Sequence, residues 1–193
     1  MKKIGFAITS SFCTIKEVMP QIKLLKEMGY DVIPITSPQV ISEDTRFGLG
    51  KDIKEALELL TGHQVISTIV EAEKFGPSEK LDALVVAPAT GNFIAKMANG
   101  IIDTPVVMSA KATLRNNSPI IIGISTNDGL GINGKNIMSL LNTKNIYFIP
   151  FGQDNHKSKP NSLVAHFDLL VPTLEEALES KQIQPVLKQY IKK

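Results

Sequence analysis

The stretch APATGNFIAKMANGIIDTP, from Ala87 to Pro105, directly follows the apolar run LVV at residues 84–86. It begins with small and polar residues that are typical of a turn, and it continues with the pattern of a helix that ends at Gly100. A turn that leads from a buried strand into a helix presents backbone N–H groups, and such groups bind phosphate. We therefore expect a flat, phosphorylated ligand at this turn.

Apolar, strand-like runs alternate with helical patterns on both sides of this stretch. Strands are predicted at residues 3–9, 31–36, 83–86, 105–108, 119–125, 145–150 and 168–171. Helices are predicted at residues 15–28, 53–60, 65–74, 92–99, 109–115, 135–141, 174–180 and 185–191. The strands lack polar alternation, as expected of strands that are buried on both faces. The pattern predicts an α/β fold with a mostly parallel sheet and helices on both faces.

The length and composition indicate one ordinary globular domain over residues 1–193, with 43% hydrophobic and 21% charged residues. The net charge of +2 is spread along the chain, which disfavours a nucleic-acid partner. The lone Cys13 predicts a cytoplasmic protein, and no apolar run approaches the roughly 20 residues that span a membrane. Residues 151–167 contain the most loop-like sequence and are expected to form an arm or a lid within the domain.

Small polar residues follow the predicted strands at the points where these strands end. Ligands of open α/β sheets bind at the carboxyl ends of the strands, so these residues are the candidate site. Hydroxyl and amide groups beside helix N-termini suit a phosphate, although each residue alone is also a common helix cap. The candidates are Thr9, Ser10, Ser11, Thr36, Ser37, Pro88, Ala89, Thr90, Asn92, Met108, Ser109 and residues 125–128.

The common nucleotide-binding and catalytic fingerprints are missing from the sequence. Neither G-x-G-x-x-G nor G-x-x-x-x-G-K-[ST] occurs, which disfavours plain NAD(P) binding and nucleotide hydrolysis. His63, His156 and His166 lack the spacing of a metal site or a catalytic triad, so we predict no metal and identify no catalytic residue. A cofactor that carries the chemistry would account for this scarcity of acids and bases.

The stretch at residues 87–104 resembles the flavin-binding signature of the flavoprotein family of flavin-containing cysteine decarboxylases. In that signature a Pro-Ala-Ser/Thr-Ala-Asn-Thr run leads into Ile-Ala-Lys-x-Ala-x-Gly-Ile-x-Asp. The resemblance implies a Rossmann-like three-layer sandwich that binds FMN at a subunit interface, in a homotrimer or an assembly of trimers. Gly91, where relatives usually have Ala, is expected to bring the backbone closer to the flavin.

The family pattern also implies roles for individual residues of the site. The FMN phosphate or ribityl chain is expected to contact Thr9, Ser10, Ser11 and Thr36. The flavin is expected to be lined by Pro88, Ala89, Thr90 and Asn92. The remaining expected cofactor contacts, which also follow predicted strands, are Ser37, Met108 and Ser109.

Two departures from the family pattern disfavour decarboxylation. Decarboxylases of the family carry a catalytic His a little over ten residues before the Pro-Ala-Thr turn, and the corresponding position here is Lys74. The family's Pro-x-Met-Asn substrate motif reads VVMS at residues 106–109.

Several other runs are similar to a narrower subfamily, the B subunits of dipicolinate synthases. These runs are TRFG (45–48), AKATLRNN (110–117), GISTNDGLG (123–131), TKNI (143–146) and IPFGQD (149–154). The similarity implies an oxidoreductase that converts dihydrodipicolinate to dipicolinate during sporulation. It also implies a partner, the dipicolinate synthase A subunit, which resembles nicotinamide-dependent dehydrogenases.

The dicarboxylate substrate suggests a search for cations in these subfamily-type runs. The candidate substrate-binding residues are Arg46, Lys111, Arg115 and Asn127. Lys111 and Arg115 are four residues apart on a predicted helix, so a solvated helix face is an equal alternative. Two other functions stay open from the sequence: a decarboxylase or prenyltransferase that acts alone, and a non-catalytic scaffold for the A subunit.

Overall fold

Residues 1–188, which the computed structural model describes, form seven β-strands and eight α-helices. The strands are β1 (Lys3–Ile8), β2 (Asp31–Thr36), β3 (Ala83–Ala89), β4 (Ile120–Thr126), β5 (Ile146–Phe148), β6 (Phe151–Gln153) and β7 (Leu163–Ala165). The helices are α1 (Ile15–Glu27), α2 (Pro38–Ser42), α3 (Gly50–Thr61), α4 (Ile69–Glu73), α5 (Gly91–Ala98), α6 (Pro105–Arg115), α7 (Gly134–Leu141) and α8 (Leu170–Leu178). Short 3-10 helices cover Phe12–Thr14 and Phe167–Leu169.

The strands form one sheet in the order β2-β1-β3-β4-β7-β6, and β5 pairs with the first half of β4. Strands β1 to β5 pair in parallel, whereas β7 runs antiparallel to β4 and to β6. One group of contacting helices comprises α1, α2, α3 and α8, and a second comprises α4, α5, α6 and α7. The predicted α/β fold with a mostly parallel sheet flanked by helices is therefore confirmed.

The central strand β3 explains why this fold forms. All of its residues from Ala83 to Ala89 are buried, because the strand lies between β1 and β4 and beneath helices. Apolar side chains can point to either face of such a strand, so its sequence is a continuous apolar run. The C-terminal end of β3 is thereby fixed next to the C-terminal ends of its neighbouring strands, and the turn to α5 begins there.

Two predicted strands are wrong. Residues 105–108 belong to α6, in which Thr104 is the N-cap and Pro105 occupies the first turn. The predicted strand at residues 168–171 lies in a 3-10 helix and the first turn of α8. Both segments are short apolar runs, and such runs fit a buried helix as well as a buried strand.

Two predicted helices are also incorrect over part of their length. Of the helix predicted at residues 65–74, only Ile69–Glu73 is helical. Ile66 instead forms a parallel bridge with Ile35 of β2. In the prediction at residues 185–191, residues 185–188 are not helical, since Leu187 pairs with Phe151. The rest of that prediction lies outside the described residues.

The predicted arm or lid at residues 151–167 forms a hairpin that extends the sheet. Its two ends are β6 and β7, which pair with each other, and β7 also pairs with the end of β4. The connecting loop is closed by a hydrogen bond from the backbone N–H of Asp154 to the carbonyl oxygen of Ser162, over 3.1 Å. A role of this hairpin as a lid stays a prediction.

Candidate functional site

A cavity of about 370 Å³ opens at the carboxyl ends of β1, β2 and β3. Helices α2, α5 and α6 all begin at this cavity, so their N-termini face it together. The predicted residues Thr9, Ser10, Ser37, Thr90 and Asn92 line it. The other lining residues are Gln39, Phe93, Lys96, Thr104 and Val106.

Thr9 holds the end of β1 against the turn that leaves β3. Its side chain is buried, and Oγ1 donates a hydrogen bond to the carbonyl oxygen of Pro88 over 2.7 Å. The same atom accepts a hydrogen bond from the backbone N–H of Thr90 over 2.9 Å. The hydroxyl of Thr9 therefore builds the wall of the cavity by fixing the turn between β3 and α5.

Two threonines cap the helices that begin at the cavity. Oγ1 of Thr90 accepts a hydrogen bond from the backbone N–H of Phe93, and Oγ1 of Thr104 accepts one from that of Val107. Both distances are 3.4 Å. The helix N-termini carry partial positive charge, so this end of the cavity favours an anionic ligand group.

Ser37 is the N-cap of α2, yet its side chain makes no capping hydrogen bond to that helix. Its neighbour Thr36 is fully buried, and among residues 1–188 its Oγ1 has no hydrogen-bond partner. A buried hydroxyl without a partner costs about 1–3 kcal/mol. The end of β2 therefore offers hydrogen-bonding capacity that the described chain does not use.

Gly91 is closely surrounded by side chains of other elements. A Cβ atom at this position would lie 2.8 Å from Oγ1 of Thr126 and 2.7 Å from Nδ2 of Asn133. The absence of a side chain thus makes room for protein groups from β4 and the cap of α7. The expectation that Gly91 brings the backbone closer to a flavin stays a prediction.

Ser11 does not line the cavity, because its hydroxyl belongs to a cluster beside it. Oγ of Ser11 lies 2.8 Å from Oγ of Ser125, and Oγ1 of Thr14 donates to the carbonyl oxygen of Ser11 over 2.9 Å. These contacts join the loop after β1 to the end of β4, across the end of β3.

Four further predicted cofactor residues also lie outside the cavity wall. Pro88 and Ala89 are buried within β3. Met108 and Ser109 were expected to follow a strand, but they lie inside α6, so that expectation is wrong. Oγ of the buried Ser109 donates to the carbonyl oxygen of Pro105 over 2.8 Å, which satisfies this hydroxyl within its own helix.

The four candidate substrate residues are not brought together at the cavity of this chain. Arg46 is exposed in a turn, with its guanidinium carbon 4.8 Å from the centre of the Phe47 ring. Asn127 is exposed and accepts a hydrogen bond from Oγ of Ser162 over 3.4 Å. The predicted substrate roles of these residues are not tested by the structure.

Lys111 lies in the middle of α6 and Arg115 at its end, and neither residue lines the cavity. Both side chains are exposed, and Arg115 ends the helix whose first turn contains Val106. A helical rise of 1.5 Å per residue places Arg115 about 14 Å along the axis from Val106.

The sequence analysis missed Gln39, Phe93, Lys96, Thr104 and Val106 as lining residues. A signal existed for Lys96, because the flavin-binding signature contains both this residue and Asp103. In the structure Nζ of Lys96 lies 2.8 Å from Oδ1 and 2.7 Å from Oδ2 of Asp103. For Gln39 the sequence carries no comparable signal.

Within residues 1–188 no group of three or more His, Cys, Asp or Glu side chains is arranged to hold a metal ion. No helix in the same part of the chain is long and apolar enough to cross a membrane.

Comparison with known proteins identifies close relatives. The dipicolinate synthase B subunit of Bacillus subtilis (strain 168) is 53% identical over 186 residues, which cover 96% of this chain and 93% of that protein. The crystal structure of the dipicolinate synthase B subunit from Bacillus halodurans C has 50% identity and a TM-score of 0.91, and the match covers 98% of this chain and 97% of that one. The similarity to dipicolinate synthase B subunits that the sequence runs predicted is therefore confirmed.

More distant matches agree on the fold. The FMN-dependent cysteine decarboxylase SpaF is 19% identical with a TM-score of 0.64, over 92% of this chain and 97% of that chain. The profile of the Flavoprotein family matches residues 1–162, which include every strand of the parallel sheet and the whole cavity. The chain belongs to the Flavoprotein family.

Proposed function

We propose that this chain is the flavin-binding subunit of a dipicolinate synthase and that its cavity holds FMN. The observation that carries this proposal is the convergence of the N-termini of α5 and α6 and several hydroxyl groups on one cavity at the carboxyl ends of the strands. That arrangement suits a phosphate group. The close relation to two dipicolinate synthase B subunits supports the choice of enzyme.

The residues of the cavity fit FMN by their chemistry. Hydroxyls of Ser10, Ser37, Thr90 and Thr104 would hold the phosphate and the ribityl chain, and Asn92 and Phe93 would lie beside the ring. Thr36 has an unpartnered Oγ1 in the described chain, but it is fully buried and does not line the cavity, so we do not assign this hydroxyl to the ligand. The decarboxylase SpaF is described as FMN-dependent, and the structure of AnUbiX contains bound FMN, which agrees with this choice of flavin.

The proposed reaction is the oxidation of dihydrodipicolinate to dipicolinate, together with the A subunit of the synthase, in the cytoplasm during sporulation. Bound FMN supplies a two-electron acceptor for such an oxidation. The chain itself binds and orients the flavin at the edge of the sheet and buries the turn of β3 beneath it. We identify no catalytic acid or base within the chain.

We further propose that the chain acts as a homo-oligomer, a trimer or a multiple of one. Arg46, Lys111, Arg115 and Asn127 are exposed side chains, so they are available to a substrate held between chains. Oxidation is favoured over decarboxylation because Lys74 stands where the family's catalytic His is expected. Its Nζ forms an ion pair with Oε2 of Glu79 over 3.3 Å.

The proposal is tested first by flavin binding to the purified chain. FMN is titrated into wild-type protein, Ser37→Ala and Ser42→Ala, and binding is followed by quenching of flavin fluorescence. Ser37 lines the cavity, whereas Ser42 is an exposed serine at the other end of the same helix. Loss of one hydrogen bond to a charged phosphate corresponds to roughly a tenfold weaker affinity for Ser37→Ala.

Ser42→Ala is expected to bind FMN as the wild type does. A wild-type chain that stays free of flavin at millimolar FMN would refute the flavin proposal. The redox role is tested by adding dihydrodipicolinate to the FMN-loaded protein in the presence of the synthase A subunit. Bleaching of the flavin absorption supports oxidation, and release of CO2 without bleaching would favour a decarboxylase instead.

A further inference from the structure

The charge distribution in the cavity is unequal. Among the cavity-lining residues, all of which lie within residues 1–188, Lys96 alone has a charged side chain. Its ion-pair partner Asp103 is outside the lining, and 53% of the Asp103 side chain is exposed, compared with 21% for Lys96. Lys96 is therefore the charged residue on the cavity wall, and the compensating carboxylate is the more exposed member of the ion pair.

Lys96 has hydrogen-bonding capacity beyond this ion pair. An ammonium group has three N–H donors, and Asp103 accepts from Lys96 through its two carboxylate oxygens. One donor therefore remains for an oxygen atom of a ligand. Asp103 directly precedes Thr104, the N-cap of α6, and a helix N-terminus stabilises a nearby carboxylate. The carboxylate thus keeps favourable surroundings when Lys96 turns towards a ligand.

We infer that Lys96 recognises an anionic group of the ligand in this cavity, and that Asp103 holds the ammonium at the cavity wall until the ligand shares it. This inference rests on the proposal that the cavity binds FMN, and it deepens it by assigning the side chain that selects for charge. The anionic group is either the phosphate of FMN or a carboxylate of the dicarboxylate substrate. Both present oxygen atoms with negative charge to the same ammonium.

The experiment compares the affinities of FMN and riboflavin, which differ in the phosphate alone. Wild-type protein, Lys96→Met, Lys96→Arg and Asp103→Asn are titrated with each flavin, and pyridine-2,6-dicarboxylate is titrated into the flavin-free and FMN-loaded proteins. Thermal unfolding of each variant reports on folding. We expect Lys96→Met to weaken FMN binding by tenfold or more and to change riboflavin binding less than twofold. Lys96→Arg, which keeps the positive charge, is expected to retain most of the FMN affinity of the wild type.

Asp103→Asn separates recognition from structural support. It removes the carboxylate but keeps the ammonium, so the inference predicts equal or tighter FMN binding, with the preference for FMN over riboflavin retained. If Lys96→Met does not fold, this prediction for Asp103→Asn still decides the inference. An equal weakening of FMN and riboflavin in both Lys96→Met and Asp103→Asn would show a purely structural ion pair and overturn it.

The dicarboxylate titration identifies the source of the anion. In one outcome, Lys96→Met keeps the ratio of FMN to riboflavin affinity but binds pyridine-2,6-dicarboxylate at least tenfold more weakly. This outcome assigns Lys96 to a substrate carboxylate and supports the inference. Unchanged binding of all three ligands would overturn it. A wild-type protein that binds neither flavin would refute the proposed function, and the titration of the flavin-free protein with the dicarboxylate would then decide the inference alone.

Discussion

The backbone N–H of Thr90 donates a hydrogen bond to Oγ1 of Thr9 over 2.9 Å, although the two residues are 81 positions apart in the sequence. The bond joins the end of β1 to the N-cap of α5. It therefore sets where the first turn of α5 begins relative to the cavity. A single buried hydroxyl thus connects the packing of the sheet to the geometry of the candidate flavin site.

Replacement of Thr9 by Val tests this connection, because the change keeps the shape of the side chain and removes the hydroxyl. The N–H of Thr90 then loses its partner, whereas the carbonyl oxygen of Pro88 still accepts from the backbone N–H of Thr9. We expect the free energy of unfolding to fall by about 1–3 kcal/mol. Urea-induced unfolding at constant slope measures this loss.

The matched control is Thr9→Ser, which retains the hydroxyl and is expected to lie closer to the wild type than Thr9→Val. FMN affinity is expected to follow the same order. Surface substitutions usually change the free energy of unfolding by less than about 0.5 kcal/mol. If the unfolding free energies of Thr9→Val and Thr9→Ser differed by less than this, the prediction that the hydrogen bond stabilises the fold would be wrong.

A second prediction concerns Gly91. The Cβ atom of an alanine at this position would lie under 3 Å from Oγ1 of Thr126 and from Nδ2 of Asn133, so at least one of these groups has to move. Overpacking of this kind costs about 1–3 kcal/mol. We expect Gly91→Ala to lower the free energy of unfolding, as measured by denaturant unfolding.

The same substitution in an Asn133→Ala background provides the control, since one of the two close contacts is then absent. Gly91→Ala is expected to cost less stability there than in the wild type. An equal cost in both backgrounds would show that the Asn133 side chain does not limit the space at Gly91, and it would contradict the prediction.

Features that depend on local sequence patterns were the ones that could be predicted, and even these patterns are ambiguous between a buried strand and a buried helix. Strands β1, β2 and β4 were located because a parallel strand buried on both faces is a continuous apolar run. The apolar run Val106-Val107-Met108 misled for the same reason, since a buried helix has the same local composition. The pair Thr104-Pro105 did contain a local helix signal, an N-cap followed by proline in the first turn.

The candidate site shows the same division. The rule that ligands bind at strand ends located Thr9, Ser10 and Ser37 from the sequence alone. The bond between Ser11 and Ser125 depends on residues that are 114 positions apart, and no local pattern pairs them. The sequence therefore identified the ends of β1, β2 and β3 as parts of the cavity, whereas the start of α6 and the assignment of individual hydroxyls required the three-dimensional structure.

A third prediction separates flavin binding from the proposed substrate role of Arg115. This residue lies at the end of α6 remote from the cavity, with Nη1 close to Gly76. We expect Arg115→Ala to change the Kd of FMN less than twofold. If Arg115 binds a substrate carboxylate across a contact between chains, KM for dihydrodipicolinate should rise roughly tenfold, as expected for one lost charged hydrogen bond.

Lys135→Ala, which removes an exposed cation from α7, is the control for a general effect of charge. It is expected to leave both constants unchanged. A large loss of FMN affinity in Arg115→Ala would contradict the placement of this residue. A normal rate and a normal KM for dihydrodipicolinate in the same variant would refute its substrate role.

The last prediction concerns the pH dependence of stability through Glu71, which forms a capping box with Thr68 at the start of α4. The pKa of Glu71 is lowered by hydrogen bonds, first from the backbone N–H of Ser67 and then from the hydroxyl of Thr68. A carboxyl group whose pKa is lower in the folded state stabilises the fold above its unfolded pKa. This stabilisation is lost as the pH falls through the folded pKa.

Glu71→Gln isolates this contribution, because glutamine occupies the same capping position without titrating. At pH 7 the wild type is expected to be more stable than Glu71→Gln by about 0.5 kcal/mol, the usual size for an exposed acid in a first helical turn. The difference should shrink as the pH falls from about 5 to 3. Unfolding free energies measured across this range, with the exposed Glu73→Gln on the same helix as control, check the prediction, and parallel curves for the wild type and Glu71→Gln would contradict it.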